Sequence, residues 1–109
     1  MANTFKLKTK ANVGVATVGI YTAPASTTTV VIGITLSNTS GSGVNVGVGF
    51  TRAGTTEDVK LLKNAPIPSG SSLEFMAGNK IVLETTDTLT VDSDTNNSVD
   101  AALTIMEIT

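Results

Sequence analysis

The sequence contains no cysteine and no histidine. Without cysteine the chain has no disulfide, no thiolate nucleophile and no thiolate ligand for a metal. Without histidine it lacks the commonest general base near neutral pH and the commonest ligand for transition metals. Only carboxylates would remain for chemistry, so the sequence predicts a protein that is not an enzyme and that carries no cofactor.

Charge is also scarce. Seven Lys and Arg residues stand against nine Asp and Glu, and charged residues make up 15% of the 109-residue chain. So few cations argue against binding along a nucleic acid backbone. No apolar run reaches the roughly 18 residues of a membrane span, and the N-terminal MANTFKLKTK lacks the apolar core of a signal peptide. We therefore expect neither nucleic acid nor membrane as a partner, and a site of synthesis and assembly in the cytoplasm.

What the sequence has instead is neutral and β-branched: 19 threonines, and valine as the main aliphatic residue. Soluble domains usually carry about 25% charged residues. A weakly charged chain with a mean hydropathy of +0.24 is expected to cover part of its surface with a partner. The alternative is a threonine-rich neutral surface that needs none.

Alternation of apolar and polar residues predicts strands along the chain and no helix. The clearest stretch is TTTVVIGITLSN, followed by the turn sequence NTSGSG and by VNVGVGF, and together they predict a β-hairpin. In the first strand, one face would carry Val30, Ile32, Ile34 and Leu36. Eight or nine such strands favour an all-β, antiparallel, jelly-roll-like sandwich. The expected organisation is one domain over residues 1–109, with residues 1–10 as a candidate extended arm.

Pairing of these two strands about Gly41 would place Gly33 opposite Gly49 and Thr35 opposite Gly47. Glycines bunched on one outward face leave a flat patch that another backbone can approach closely. The pattern predicts a subunit or partner interface at Gly33, Thr35, Gly47 and Gly49. The alternative is that these glycines relieve crowding under the protein's own second sheet or a loop.

The stretch DSDTNNSVD, residues 92–100, resembles the start of a calcium loop, with Asp92, Asp94 and Asn96 at alternating positions. The sixth position of the loop should be Gly and is Asn97; the twelfth should be an acid and is Leu103. Asp and Asn also collect at turns, because they bond their own backbone. The pattern therefore predicts a hairpin turn between strands, with a weak cation site as the alternative and no metal site assigned.

Two further groups of side chains have ordinary interpretations. The carboxylates of TTED, residues 55–58, and of Asp87 have no paired spacing, so we predict solvated loop charges. Tyr21 and the three phenylalanines are expected in the core or at its edge. An aromatic content of 4% is too low for a surface that stacks on bases.

The order of several phrases resembles small all-β virion proteins of tailed bacteriophages. The phrases are VGIYTAPASTTTVVIGITLSNTS, LLKNAPIPSGSSLEF, KIVLETTDTLTV and SVDAALTIMEI, which together span nearly the whole chain. The resemblance implies a virion component assembled in a bacterial cytoplasm, and it transfers no catalytic residue.

The first hypothesis for function is therefore a capsid decoration or cement protein, which would contact the major capsid protein or other virion proteins and itself, as a homotrimer. The alternatives are a tail, baseplate or neck component, and a host-surface binding module.

Overall fold

A computed structural model describes residues 3–52, 58–75 and 80–109 of the chain. This part of the chain forms nine strands: β1 (Asn3–Val13), β2 (Val18–Thr22), β3 (Thr28–Asn38), β4 (Val44–Thr51), β5 (Asp58–Ile67), β6 (Ser72–Phe75), β7 (Ile81–Leu83), β8 (Thr88–Ser93) and β9 (Val99–Ile108). Among these residues, no helix is long and apolar enough to cross a membrane.

The strands form two antiparallel sheets. The first sheet has the order β1-β9-β3-β6, with β7 also paired to β3, and the second has the order β2-β8-β4-β5. Strands β6 and β7 pair with successive parts of β3, so they act as one interrupted strand. Counted this way, two four-stranded sheets with mostly crossing connections give a jelly roll. The predicted all-β antiparallel sandwich is confirmed.

The core lies between the sheets and is almost entirely aliphatic. The predicted alternation of β9 is confirmed, with Val99, Ala101, Leu103 and Ile105 all buried. In β4 the inward residues Val44, Val46 and Val48 are buried as predicted, and Phe50 is half-buried. Each large side chain fully buried in this way contributes about 1.5–3 kcal/mol.

The predicted alternation of β3 is wrong over part of its length. The pairing of β3 with β9 shifts register between Val31 and Gly33. A β-bulge of this kind moves the side chains on either side of it to opposite faces. Ile34 and Leu36 are buried, whereas Val30 and Ile32 are half-buried and lie on the outer side.

The predicted hairpin of β3 with β4 is also wrong. Strand β3 lies in the first sheet, between β9 and β6, and β4 lies in the second, between β8 and β5. Residues 39–43 carry the chain across the sandwich instead of turning it back within one sheet. The two strands thus contribute inward side chains to the same core from opposite sides.

Asn38, at the end of β3, holds this crossing in place. Its side-chain Nδ2 donates to the carbonyls of Ser42 and Ile67, each at 2.9 Å. Its Oδ1 accepts from the backbone N–H of Ser40 at 2.9 Å and from the Ser40 hydroxyl at 2.8 Å. Because Asn38 is buried, these bonds satisfy groups that water does not reach.

A second polar cluster lies at the opposite end of β3. Tyr21 of the second sheet donates its hydroxyl to Glu107 Oε2 at 2.6 Å, and the Thr29 hydroxyl is 2.8 Å away. Lys6 Nζ lies 2.9 Å from Glu107 Oε1. The hydrogen bond from Tyr21, followed by that from Lys6, lowers the pKa of Glu107. One buried carboxylate thus links β2 of the second sheet to β1 of the first.

Replacing Asn38 by alanine should destabilise the fold by about 1–3 kcal/mol, because the Ile67 carbonyl and the Ser40 N–H lose the side chain that bonds them, whereas the Ser42 carbonyl keeps the Ser40 hydroxyl. The replacement Asn45→Ala is the matched control, since the Asn45 side chain is exposed, and it should cost less than about 0.5 kcal/mol. Urea unfolding of both variants measures the difference. Equal midpoints would contradict the role given to Asn38.

Burial, and then the hydrogen bond to Glu107, raises the pKa of Tyr21 to about 12. The folded state therefore favours the neutral phenol. Its contribution to stability is complete below the unfolded pKa of about 10 and is lost as the pH rises towards 12. Tyr21 is the only tyrosine and the chain has no tryptophan, so near-ultraviolet absorbance reads its ionisation directly.

In that titration, the folded protein should ionise near pH 12 and the urea-unfolded protein near pH 10. The variant Glu107→Gln should lower the folded value, because it removes the carboxylate that raises the Tyr21 pKa. A folded protein whose tyrosine ionises near pH 10 would show that this bond does not form.

Candidate protein interaction face

The outward side of the first sheet carries side chains from β1, β9, β3, β6 and β7. Residues directly opposite each other in an antiparallel pair lie on the same face. The register therefore places the side chains in rows across the sheet. We call this surface the outer face; it consists of Phe5, Leu7, Thr9, Val30, Ile32, Gly33, Thr35, Val82, Ala102, Thr104 and Met106.

Three of these side chains are large, apolar and mostly exposed: Phe5 at 68%, Leu7 at 66% and Val82 at 55%. The register aligns Phe5 with Met106, Val30 and Val82, so one row is apolar across four strands. Apolar side chains grouped on one exposed face mark a site of association more often than scattered ones do.

The expectation that every phenylalanine lies in or near the core is wrong for Phe5. Strand β1 is at the edge of the first sheet, and its buried residue in the described part is Val13 alone. The alternation of Phe5 and Leu7 with lysines predicts a strand, but it does not determine which face of that strand packs against the core. Here the apolar residues face outward, while Lys6 and Lys8 pair with the buried Ile105 and Leu103.

A shallow depression of about 330 Å³ lies in the middle of the outer face. It forms where the bulge of β3 meets small side chains, and it is lined by Ile32, Gly33, Thr35, Glu74, Ala102 and Thr104. A second depression of about 270 Å³ adjoins it and shares Thr35 and Ala102. The outer face is therefore uneven, and side chains of a partner can fit into its two depressions.

The register places two charged residues, Glu74 and Asp100, towards one end of this side of the sheet, and Lys10 also borders the second depression there. Glu74 pairs with Thr35, and Asp100 pairs with Ser37. The rows that contain Phe5 and Leu7 are free of charge among the described residues. Burying the rows of Phe5 and Leu7 against a partner would therefore leave no unpaired charge of this protein at the interface, which avoids a large cost.

The structure divides the four residues predicted to form an interface between the two sheets. Gly33 and Thr35 lie on the outer face, opposite Thr104 and Ala102. Gly47 and Gly49 lie in the second sheet, where both are buried. The predicted pairing of Gly33 with Gly49 is wrong, because the strands that carry them do not pair. The interface role of Gly33 and Thr35 stays a prediction.

The second pair of glycines permits close internal approach. A Cβ at Gly49 would lie 2.5 Å from the Val59 carbonyl oxygen, and one at Gly47 would lie 2.6 Å from Asp92 Oδ1. A Cβ at Gly33 would have no atom within 4 Å. These distances support the alternative explanation, relief of crowding, for Gly47 and Gly49, and their role in an interface stays a prediction as it does for Gly33 and Thr35.

Residues 92–100 form a turn between two strands, as predicted, but the strands belong to opposite sheets, so the turn is not that of a hairpin. Its acidic side chains accept hydrogen bonds from other segments of the chain. Asp94 Oδ1 accepts from Asn45 N at 3.1 Å, Asp100 Oδ1 accepts from Asn12 N at 3.0 Å, and Asp92 Oδ2 accepts from the Thr17 hydroxyl at 3.1 Å. Asn97 adopts a φ of 53°.

Within the described ranges no three acidic side chains are grouped to hold a metal ion. The carboxylates of this turn instead bind Asn12 near the end of β1, Thr17 between β1 and β2, and Asn45 at the start of β4.

The prediction of solvated loop charges is wrong for Asp87. This residue is buried, and its carboxylate accepts from the backbone N–H of Glu84 at 3.0 Å and lies 3.2 Å from Arg52 Nε. Arg52 also pairs with Glu84. The prediction is confirmed for Asp58, which is exposed and lies 3.8 Å from Lys60 Nζ, and residues 55–57 lie outside the described residues. Asp87 thus fixes the turn between β7 and β8.

No protein-family model matches the chain, and a search of curated proteins gives no significant match. Solved structures give matches of fold. A chain of the Bacillus endospore appendages, described as disulfide-linked pili, aligns with a TM-score of 0.57 and 17% identity, over 99% of this chain and 87% of that one.

Two virus structures also align with the chain. The IBDV viral particle gives a TM-score of 0.60 and 15% identity, over 96% of this chain and 30% of that one. The capsid of Helicobacter pylori bacteriophage KHP30 gives a TM-score of 0.58 and 11% identity, over 98% of this chain and 87% of that one. At these identities the likeness shows the fold alone.

The two kinds of glycine predict opposite responses to the same substitution. Gly49→Ala should destabilise the protein by about 1–3 kcal/mol, because backbone atoms must move to admit the methyl group. Gly33→Ala meets open space and reduces the entropy of the unfolded chain, so stability should be unchanged or rise by up to about 1 kcal/mol. Thermal unfolding of the two variants tests this, and a larger loss for Gly33→Ala would contradict the assignment.

Proposed function

We propose that this protein is a structural component of a virus particle, and specifically a decoration or cement protein on the capsid of a tailed bacteriophage. The observation that carries the proposal is the outer face, where Phe5, Leu7 and Val82 are mostly exposed in rows that contain no charge among the described residues. The sequence resemblance to phage virion proteins supports it. So does the jelly-roll fold shared with capsid and viral particle proteins.

The proposed activity is contact rather than catalysis. Stable interfaces bury about 800 Å² on each partner, and apolar area contributes about 25 cal/mol per Å² before the cost of association. The partner is the major capsid protein or another virion protein. Repeated over many copies, a modest interface of this kind would reinforce a shell against internal pressure.

The proposal includes self-association as a homotrimer, since closed symmetry is the general rule for homo-oligomers. The protein would be made in the cytoplasm of the host bacterium and located in the virion. The Bacillus appendages are pili linked by disulfides. This chain has no cysteine, so an assembly of its copies cannot be linked by disulfides.

A second candidate is a subunit of a fibre-like part of the virion, such as the tail. The likeness to a pilus chain over 99% of this chain favours it. Electron microscopy of particles that carry a labelled copy distinguishes the two. Label over the whole shell supports decoration, and label confined to the tail or to one vertex supports the second candidate.

Substitution at the centre of the outer face tests the contact surface. Thr104 is exposed between Leu7 and Gly33, so Thr104→Arg should leave folding intact. It should reduce the number of copies bound to particles by about tenfold or more, because an unpaired guanidinium would be buried at the interface.

The matched control is Thr51→Arg, at an exposed threonine of the second sheet. Particles that lack the protein are mixed with each purified variant, and bound copies are measured after sedimentation. Loss of binding for Thr51→Arg alone would place the contact on the other sheet. No binding by the unsubstituted protein would refute the proposal.

A further inference from the structure

Each sheet has two edges, and an open edge presents backbone groups that can pair with another chain. The edges of the first sheet are β1 and the pair β6 and β7; those of the second sheet are β2 and β5. The four edges differ in length, regularity and proline content, and these properties decide whether a further strand can add.

Three of the edges are blunted. Among the described residues, β6 has four residues and β7 has three, and Lys80 directly before β7 belongs to no strand. Strand β2 has five residues and shifts register between Gly19 and Tyr21. Strand β5 contains Pro66, which cannot donate a backbone hydrogen bond, and Asn64 with a φ of 55°. Short, bulged or proline-containing edges resist pairing with another chain.

The edge at β1 has none of these features over most of its length. Its register with β9 is unbroken from Asn3 opposite Ile108 to Lys10 opposite Ala101. In the described structure β9 is its one paired neighbour, and its side chains from Asn3 to Lys10 are exposed except for the half-buried Lys8. This edge can therefore accept a further strand.

The side chains of β1 specify which strand would fit. Phe5, Leu7 and Thr9 point to the outer face, and they alternate with Lys6, Lys8 and Lys10 on the other side. Lys6 is paired with Glu107. Lys8 and Lys10 form no ion pair among the residues described. A neighbouring strand would place its own alternate side chains directly beside these two rows.

Pairing of β1 with β1 of a second copy is disfavoured. Two antiparallel copies of β1 in one continuous sheet are related by a two-fold axis perpendicular to that sheet. This axis leaves the lysine side of both strands on the same face of the sheet, so lysines would lie opposite lysines. Like charges directly opposite each other destabilise a strand pair. The lysines thus act against self-pairing and in favour of a partner of opposite charge.

We propose that the open edge of β1 binds an extended segment of another polypeptide, whose side chains alternate between acidic and apolar. The apolar side chains extend the row of Phe5 and Leu7 on the outer face, and the acidic ones lie beside Lys8 and Lys10. Main-chain hydrogen bonds supply affinity, and the alternation supplies specificity. This inference goes beyond the proposed function, because it names an edge and the chemistry of its partner.

The test uses the purified full chain and short fluorescent peptides. One peptide alternates glutamate with valine and threonine, the second has lysine in place of glutamate, and the third has the composition of the first with its glutamates in one block. Anisotropy measures binding, and amide hydrogen exchange locates it. The alternating glutamate peptide should bind about tenfold more tightly than either control and should protect amides of β1.

The double variant Lys8→Glu, Lys10→Glu keeps the edge and reverses its charge, so the preference should change to the lysine peptide. Thermal unfolding establishes that this variant is folded. In the unsubstituted protein, added salt should reduce the difference between the two peptides, which gives a readout independent of the variant.

Equal binding of the three peptides, no binding, or protection elsewhere than β1 would overturn the proposal. So would self-association of the purified chain with protected β1 amides. These outcomes leave the contact of the outer face with a capsid untouched, because that contact is measured with particles and with Thr104→Arg.

Discussion

The chain has to cross repeatedly between two sheets that are stable only when packed against each other, and the rest of the structure depends on that constraint. Neighbours in sequence seldom become neighbours in a sheet, so turns alone cannot hold the strands in place. With no cysteine available, buried polar side chains hold the crossings. Asn38 bonds the turn after β3 to the end of β5. At the other end, Glu107 binds Tyr21 and Lys6, and Asp87 fixes the turn between β7 and β8. The aliphatic core between these points supplies the driving force, and the polar contacts select the topology.

Those features of the fold that depend on the alternation of residues within a single strand could be predicted from the sequence. Strand content, the sandwich class and the inward side of β9 follow from an alternation of two residues, which is a property of a single strand. Pairing could not be predicted in this way, because the same turn residues serve a hairpin and a crossing between sheets. The position of β3 is decided by β9, which lies far along the chain. The periodicity of β9 also carries a signal for a buried polar group: Glu107 continues the inward phase of Leu103 and Ile105, so it is expected to be buried and to need partners. Asn38 likewise continues the phase of Ile34 and Leu36.

The candidate site was harder to foresee than the fold. Glycines at alternate positions of a strand are unusual, but a glycine that relieves internal crowding and one that opens a surface look identical in sequence. Only the spatial neighbours separate Gly49, against the Val59 carbonyl, from Gly33, above open space. Exposure of Phe5 depends in the same way on β1 being an edge strand. The outer face and the open edge of β1 meet along this strand, so one partner could contact both surfaces without any rearrangement of the sandwich.

The pairing of β1 with β9 has a consequence for synthesis. Asn3 lies opposite Ile108, so the first strand finds its partner only after β9 has been synthesised and has left the ribosome. Folds dominated by such distant contacts form slowly and leave strands exposed in the meantime. During that interval Phe5 and Leu7 belong to an unpaired, aggregation-prone segment. The lysines interspersed between them are suited to keep nascent chains apart until the ninth strand arrives.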